Sequence, residues 1–368
     1  MLNLKCKIKI ENKDNKNIEF DYVHSIEVKT SISNLTDTAT IKLPLKMQKE
    51  GKLLADSIDI KDPITIQMGY EEYDPENIVF TGYITGKKTD INSNTSLLVL
   101  SCENEMYRLK LNEDVDPENF ENFNIKDFFE RYVTKKNPNV TCEPIGNPFF
   151  GCMNFEKKMT MAQALDAVKK KYSYIKCYFQ DDVLHVIEEE ELTKQNKKPI
   201  VFDPSCNMVS DKLEYKSDMK TCLKAVSIRS DCKKWEVFVP PDAVEQKDGK
   251  TVVKNGFELQ TKHCPGFEEE ADLQEYAKKT VGTLIASRMT GTFTAFGVPF
   301  VRKGDFVELR NELQKERHKT RFVVEAVDYN FGALAKDSGG YRQTITLGRQ
   351  LITEEKKVQE PIQNENNE

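Results

Sequence analysis

Three segments near the end of the chain read as consecutive strands: GTFTAFGVPFVRKGDFVELR from Gly291, TRFVVEAVDYNF from Thr320 and GGYRQTITLGRQ from Gly339. They have an echo near the start. KDPITIQM from Lys61, IVFTGYITG from Ile78 and SLLVLSCEN from Ser96 follow the same order. Each set has a charged turn, an alternating strand, a strand opened by Phe, a polar loop and a Thr/Ser-rich strand. A chain that builds one β unit twice points to architecture rather than catalysis.

Working outward, Ile26, Val28, Thr30 and Ile32 alternate with Glu27, Lys29 and Ser31, the period of a half-buried strand. SNLTD supplies a turn, and Thr38 to Leu43 returns as a strand ended by Pro44. With the echo set this makes a sheet of five or more strands, a small barrel or sandwich over residues 1–115. Residues 116–200 change character. Asn124 is placed to cap a helix carrying Ile125, Phe128, Phe129 and Tyr132. Thr160-Met161-Ala162-Gln163 is a capping box, opening a helix with Met161, Leu165, Val168 and Tyr172 on one face. Ile175, Cys177 and Phe179 alternate, turn at Gln180-Asp181-Asp182 and return through Val183, His185 and Ile187. This predicts an α/β insert. Residues 201–352 form the second β-barrel unit, with a long polar hairpin or loop over 232–266 and a helix over 268–288 that Gly291 closes. Residues 353–368 read as a polar, extended tail. The fold class expected is β-rich α+β: two similar barrels with an α/β insert between them.

The 368 residues allow two or three domains. A hydrophobic content of 38% with 31% charged residues describes a globular chain rather than a disordered one. No apolar run approaches the roughly 18–20 residues that span a bilayer. The N-terminus alternates apolar residues with Lys and reads as a first strand, not a signal peptide. A net charge of −6 argues against general nucleic-acid binding. It is compatible with a passage through which nucleic acid slides, because an acidic wall repels phosphate. Nine scattered cysteines without a CxxC read as free, mostly buried thiols.

No enzyme constellation stands out. There is no HExxH, P-loop, GxSxG or dinucleotide glycine fingerprint. The four histidines, His24, His185, His263 and His318, lack ligand-spaced partners. Glu188 to Glu191 point to alternate sides of a strand and cannot converge on one ion. No catalytic residue, cofactor or metal ligand is therefore assigned. Trp235, the only tryptophan, stands with Val237 and Phe238 before Pro240-Pro241. That aromatic stretch is either an outer docking surface or ordinary core.

The pattern G-x-P-x-x-x-x-G-D-x-V-x-L carries Gly297, Pro299, Gly304, Asp305, Val307 and Leu309. It is followed by Val327, Tyr329, Phe331 and the strand Tyr341 to Leu347. Together with the opening hairpin Val28 to Leu43 and Phe80, Gly82 and Ile84, it resembles the baseplate hub proteins of contractile phage tails and phage tail-like particles. These are the late-control D family and the amino-terminal hub half of type VI secretion spike proteins. The resemblance implies a homotrimer whose six barrels match a six-fold tail tube on one side and a three-fold spike on the other. It implies as partners the tail tube protein, a separate central spike protein, other baseplate proteins and tape-measure protein. It also implies synthesis in a bacterial cytoplasm and assembly into a virion or particle baseplate. Glu27 and Lys29 in the first unit, and Glu308 and Arg310 in the second, are candidate channel or intersubunit residues, or else ordinary solvated strand faces. The competing functions are a cell-wall hydrolase or a host-glycan-binding component of the same particle.

Overall fold

A computed structural model describes residues 3–12, 17–49, 51–71, 78–145, 151–172, 175–216, 219–228, 233–264, 267, 269–281, 284, 289–312, 319–332 and 340–351. The tail 353–368 lies outside them. The chain is β-rich, and its main element is a single sheet of thirteen strands.

Both β units lie in that sheet, and each has the same strand order. In the first, Pro63–Tyr70 pairs with Ile78–Ile91, which pairs with Ser96–Glu103, then Thr38–Pro44, then Ser25–Ser31. In the second, Phe306–Leu309 pairs with Thr320–Gly332, then Gly340–Gln350, then Met289–Phe296, then Met208–Tyr215. The internal echo is therefore a repeat of topology. The expected pair of closed barrels is not what the strands form. Thr320–Gly332 runs past its own unit and pairs antiparallel with Ser25–Ser31 of the other, from Ala326 opposite Ser31 to Gly332 opposite Ser25. The pairing path stays open. Among the described residues Asn17–Phe20 at one end and Met208–Tyr215 at the other have one strand neighbour each.

Alternation explains the two faces. Ile26, Val28, Ile41, Leu100, Phe293, Val327, Tyr329 and Ile345 are all buried, in one core cluster that spans both units. The residues between them, including Glu27, Lys29, Thr38, Asp328, Thr344 and Thr346, form the opposite face, which is polar and exposed or half-buried. A core shared by both units gives neither one reason to close on itself.

The segment 116–200 forms a three-stranded sheet of Thr141–Ile145, Val183–Glu188 and Ile175–Gln180. Its helix Met161–Lys171 starts at the expected box: Thr160 Oγ1 accepts from Gln163 N (3.2 Å) and Gln163 Oε1 accepts from Thr160 N (3.0 Å). Asn124 caps Ile125–Phe129 as expected. Phe123, Phe128, Phe155, Leu165 and Tyr172 fill a separate core.

Two expectations for the second unit change. Residues 232–266 are not chiefly loop. Lys234–Val239 and Phe257–His263 flank Lys220–Ile228 in a second small sheet, with the hairpin Val244–Lys247/Lys250–Val253 beside it. The helix Glu270–Val281 packs on that sheet through Leu273 and Ala277, making another α/β layer. Gly291 does not close that helix. It sits in the strand Met289–Phe296, where a Cβ would lie 2.3 Å from the Lys212 carbonyl oxygen.

The turn that follows explains the glycine-proline motif. A Cβ on Gly297 would lie 2.0 Å from the Tyr341 ring. Gly304 has φ +79°, a conformation that glycine adopts without steric cost. Asp305 Oδ2 accepts from Arg302 N (2.8 Å), and Gly304 N donates to Val324 O (2.8 Å). Fully buried Gln343 ties down the rest. Its Nε2 donates to Phe296 O (2.9 Å) and Pro299 O (2.5 Å), and its Oε1 accepts from Val301 N (3.2 Å). Replacing Gln343 by Leu removes the partner of buried Val301 N and of the part-buried Phe296 and Pro299 carbonyls, at about 1–3 kcal/mol for each group left unsatisfied. Chemical denaturation should show a loss at the upper end of that range or beyond; a loss under about 1 kcal/mol would mean that the turn does not depend on Gln343.

Candidate assembly surfaces

Glu27 and Lys29 lie on the polar face of the joining strand, and Lys29 Nζ is 3.0 Å from Glu27 Oε1. Across the ladder Glu27 faces Asn330 and Thr40, while Lys29 faces Asp328 and Thr38. Burial raises the Asp328 carboxyl above its ordinary value; Lys29 pulls it back and Glu27 adds to the rise. Around this pair the surface mixes hydroxyls with charges of both signs.

Glu308 behaves differently from Glu27. Alternation predicts it on a solvated face, yet it is only 3% exposed. The strand Phe306–Leu309 is covered on both sides, with Leu192 and Leu351 packed against Phe306. Glu308 Oε1 accepts from Arg310 Nε and its Oε2 from Arg321 Nε, both at 2.8 Å. Burial pushes the carboxyl up, but the two guanidiniums outweigh it and the net pKa is lowered. Arg310 remains half exposed. The group is a clamp that fixes the strand.

Trp235 and Val237 pack into the core of the second α/β layer with Leu223, Ala225 and Leu273. Phe238 lies on the opposite side of the strand, opposite Lys224, whose Nζ is 5.6 Å from the ring centroid. The stretch therefore does not form one outer docking patch: two of its three residues are core. Among the described cysteines seven carry free thiols, and of these only Cys206 is exposed. Cys152 is disulfide-bonded, against the reading of nine free thiols; Cys232 lies outside the described residues.

Sequence reasoning missed the junction between the parts. Lys303, from the turn of the second unit, is 2.5 Å from Asp37 in the opening hairpin of the first. Both are buried, at 5% and 6% exposure. Asp37 Oδ1 also accepts from Ser31 N (3.2 Å), and Lys303 Nζ sits 5.2 Å from the centroid of the Tyr178 ring of the α/β insert. Beside it Arg302 reaches Asp181 of the insert (3.6 Å). Burial raises the Asp37 carboxyl and lowers the Lys303 ammonium; their attraction opposes both shifts. The only signal was a charged residue in each of two turns, and single-residue signals do not reveal a pair separated by more than 250 positions.

Among the described residues no group of three or more His, Cys, Asp or Glu side chains is placed to hold a metal ion. No helix among them is long and apolar enough to cross a membrane. The open sheet with a repeated strand order is the distinguishing geometry. Phage tail proteins share this fold. A 43 kDa tail protein of prophage MuSo2 from Shewanella oneidensis aligns over 94% of this chain and 98% of its own, with TM-score 0.59 and 10% identity. A tail protein from Neisseria meningitidis MC58 aligns over 94% and 96%, with TM-score 0.58 and 14% identity. An E. coli component of the type VI secretion system, described as structurally similar to the T4 bacteriophage tail proteins gp27 and gp5, aligns over 90% and 74%, with TM-score 0.52 and 8% identity. No protein-family model and no curated protein sequence matches the chain.

Two outcomes are expected. Asp37→Ala strands a buried ammonium and should cost about 3–5 kcal/mol, whereas Asp37→Leu combined with Lys303→Met should cost clearly less. Urea titrations of the three proteins decide it; equal losses would show that the pair is not coupled. The second concerns acid. Because the folded-state pKa of Glu308 is lowered, its contribution is complete above about pH 4.5, its unfolded value, and disappears as pH falls through the folded value. The melting-temperature gap between wild type and Glu308→Gln should therefore shrink as pH is lowered from 7 into the acid range. A gap that does not change with pH would contradict the clamp.

Proposed function

We propose that the protein is the structural baseplate hub of a contractile tail or injection particle. Three copies form a ring with pseudo-six-fold symmetry that joins the six-fold tail tube to the three-fold spike. The observation that carries this reading is the identical five-strand order found twice in one sheet. A chain with two equivalent units presents six units when three copies assemble, and closed rotational symmetry is the usual way such contacts are satisfied. The similarity to tail proteins over nearly their whole length supports the same assignment.

The polar sheet face is the proposed channel wall, with Glu27 and Lys29 at its centre. Mixed charge and hydroxyls give a passing polymer no continuous cationic track, so DNA or tape-measure protein moves through without adhering. Glu308 serves the second unit internally, with Arg310 at the surface end of its clamp. The α/β insert and the layer over residues 219–284 stand as attachment points for other baseplate proteins. The role is mechanical, with no catalytic residue, cofactor or membrane span, and it belongs to the assembled particle.

Mass determination in solution, for the protein alone and mixed with tube and spike proteins, tests this. A trimer in either setting, seen as a ring of three chains by electron microscopy, is the expected result. A chain that stays monomeric in both overturns it, and peptidoglycan cleavage or glycan binding by that monomer would replace it.

A further inference from the structure

The repeat can be followed residue by residue through the ladders. Both long strands carry a register shift, between Ile84 and Gly86 in one and between Val324 and Ala326 in the other. Aligning the shifts equates Gly86 with Ala326, Lys88 with Asp328 and Asp90 with Asn330. The partners agree. Gly86 faces Ser101 as Ala326 faces Thr346; Ser101 faces Thr40 as Thr346 faces Thr292; Thr40 faces Glu27 as Thr292 faces Lys212. Lys212 is thus the counterpart of Glu27, and Glu214 that of Lys29.

Within the chain, Asn330 pairs with Glu27 and Asp328 with Lys29. The equivalent pairs, Asp90 with Lys212 and Lys88 with Glu214, are not made. Among the described residues, beyond Ile84, which still bonds Lys61 and Asp62 through its backbone, the strand Ile78–Ile91 pairs only with Ser96–Glu103, and Met208–Tyr215 pairs only with Met289–Phe296. The two edges lie at opposite ends of a run of eight strands, roughly 34 Å apart along the sheet at about 4.8 Å per strand.

We infer that these edges pair with each other between copies of this chain, antiparallel, with Lys88 opposite Glu214 and Asp90 opposite Lys212. The inference rests on the ring reading above and names its seam. Charge supports the register. Both pairs are opposite in sign, all four side chains are exposed, and none has an ion-pair partner within the chain among the described residues. A slip of two residues one way sets Lys88 against Lys212; the other way it sets Asp90 against Glu214 and Lys88 against Lys216. Like charges directly opposite are destabilising, so the transferred register is the one the sequence permits. Charged edges ordinarily discourage pairing with foreign strands. Here the pattern rejects other partners and accepts this one. The seam also covers apolar surface, since Ile91 is 66% and Tyr215 43% exposed, one on each edge. The intrachain seam and the interchain seam then alternate around the ring as two versions of one contact.

The test is charge exchange in the full chain, read as the concentration at half assembly by sedimentation. Asp90→Lys should raise that concentration about tenfold, as should Lys212→Asp, and the two together should recover most of the loss. Independently, in a Cys206→Ser background, a chain carrying Asp90→Cys mixed with one carrying Lys212→Cys should form a disulfide between chains. If the protein forms its trimer but single reversals change nothing, or the pair fails to recover and no cross-link forms, the seam is wrong and the hub reading stands. If the chain remains monomeric with tube and spike proteins present, both fall.

Discussion

The ladder between Ser25–Ser31 and Thr320–Gly332 is the contact on which the rest of the structure depends. It turns two β units into one sheet and merges their cores, so that Ile26 and Val28 are buried against the same apolar layer as Val327 and Tyr329. Hydrogen bonds along a ladder are individually worth little net free energy. Their effect here is geometric: they fix the angle and offset of one unit relative to the other. Lys303 and Asp37 lie beside this ladder and add a buried, paired charge that disfavours any other register. Such pairs contribute more to uniqueness than to stability in some systems. Placing one at the junction of three parts of the chain fits that use.

Much of the sheet was legible in the sequence because burial on one face imposes a period of two. Val28, Glu27 and Lys29 fall where alternation puts them, and the Thr160 and Asn124 caps are local chemistry that needs no tertiary knowledge. The failures have a common cause. Glu308 follows the same alternation but lies in a strand covered on both faces, so its parity predicts the wrong environment. For Trp235 and Val237 the sequence leaves surface and core both open, because the helix that covers them comes some thirty residues later. The 232–266 segment reads as polar because its strands are short and half exposed. Closure was misjudged for a related reason. A strand pattern gives the faces of a sheet, whereas the choice between closing a barrel and continuing into another unit depends on which edge finds a partner.

The repeat is unequal in what it carries. The first unit passes directly from Ser25–Ser31 to Thr38–Pro44, while the second places an entire α/β layer between the corresponding strands Met208–Tyr215 and Met289–Phe296. Both insertions sit at connections between strands, where the ladder continues regardless of what the connection holds. The sheet is thus insulated from change at its connections, and the two units differ there while keeping one pairing scheme.

The joining ladder also sets a timetable. Thr30 Oγ1 donates to Val327 O across 297 positions of sequence. At synthesis rates of about 5–20 residues per second, the first hairpin leaves the ribosome roughly 15–60 s before its final partner exists. Throughout that interval its outer edge is bare and open to any passing strand. The charges of Glu27 and Lys29 make that strand a poor match for an apolar one until Asn330 and Asp328 come to lie opposite them.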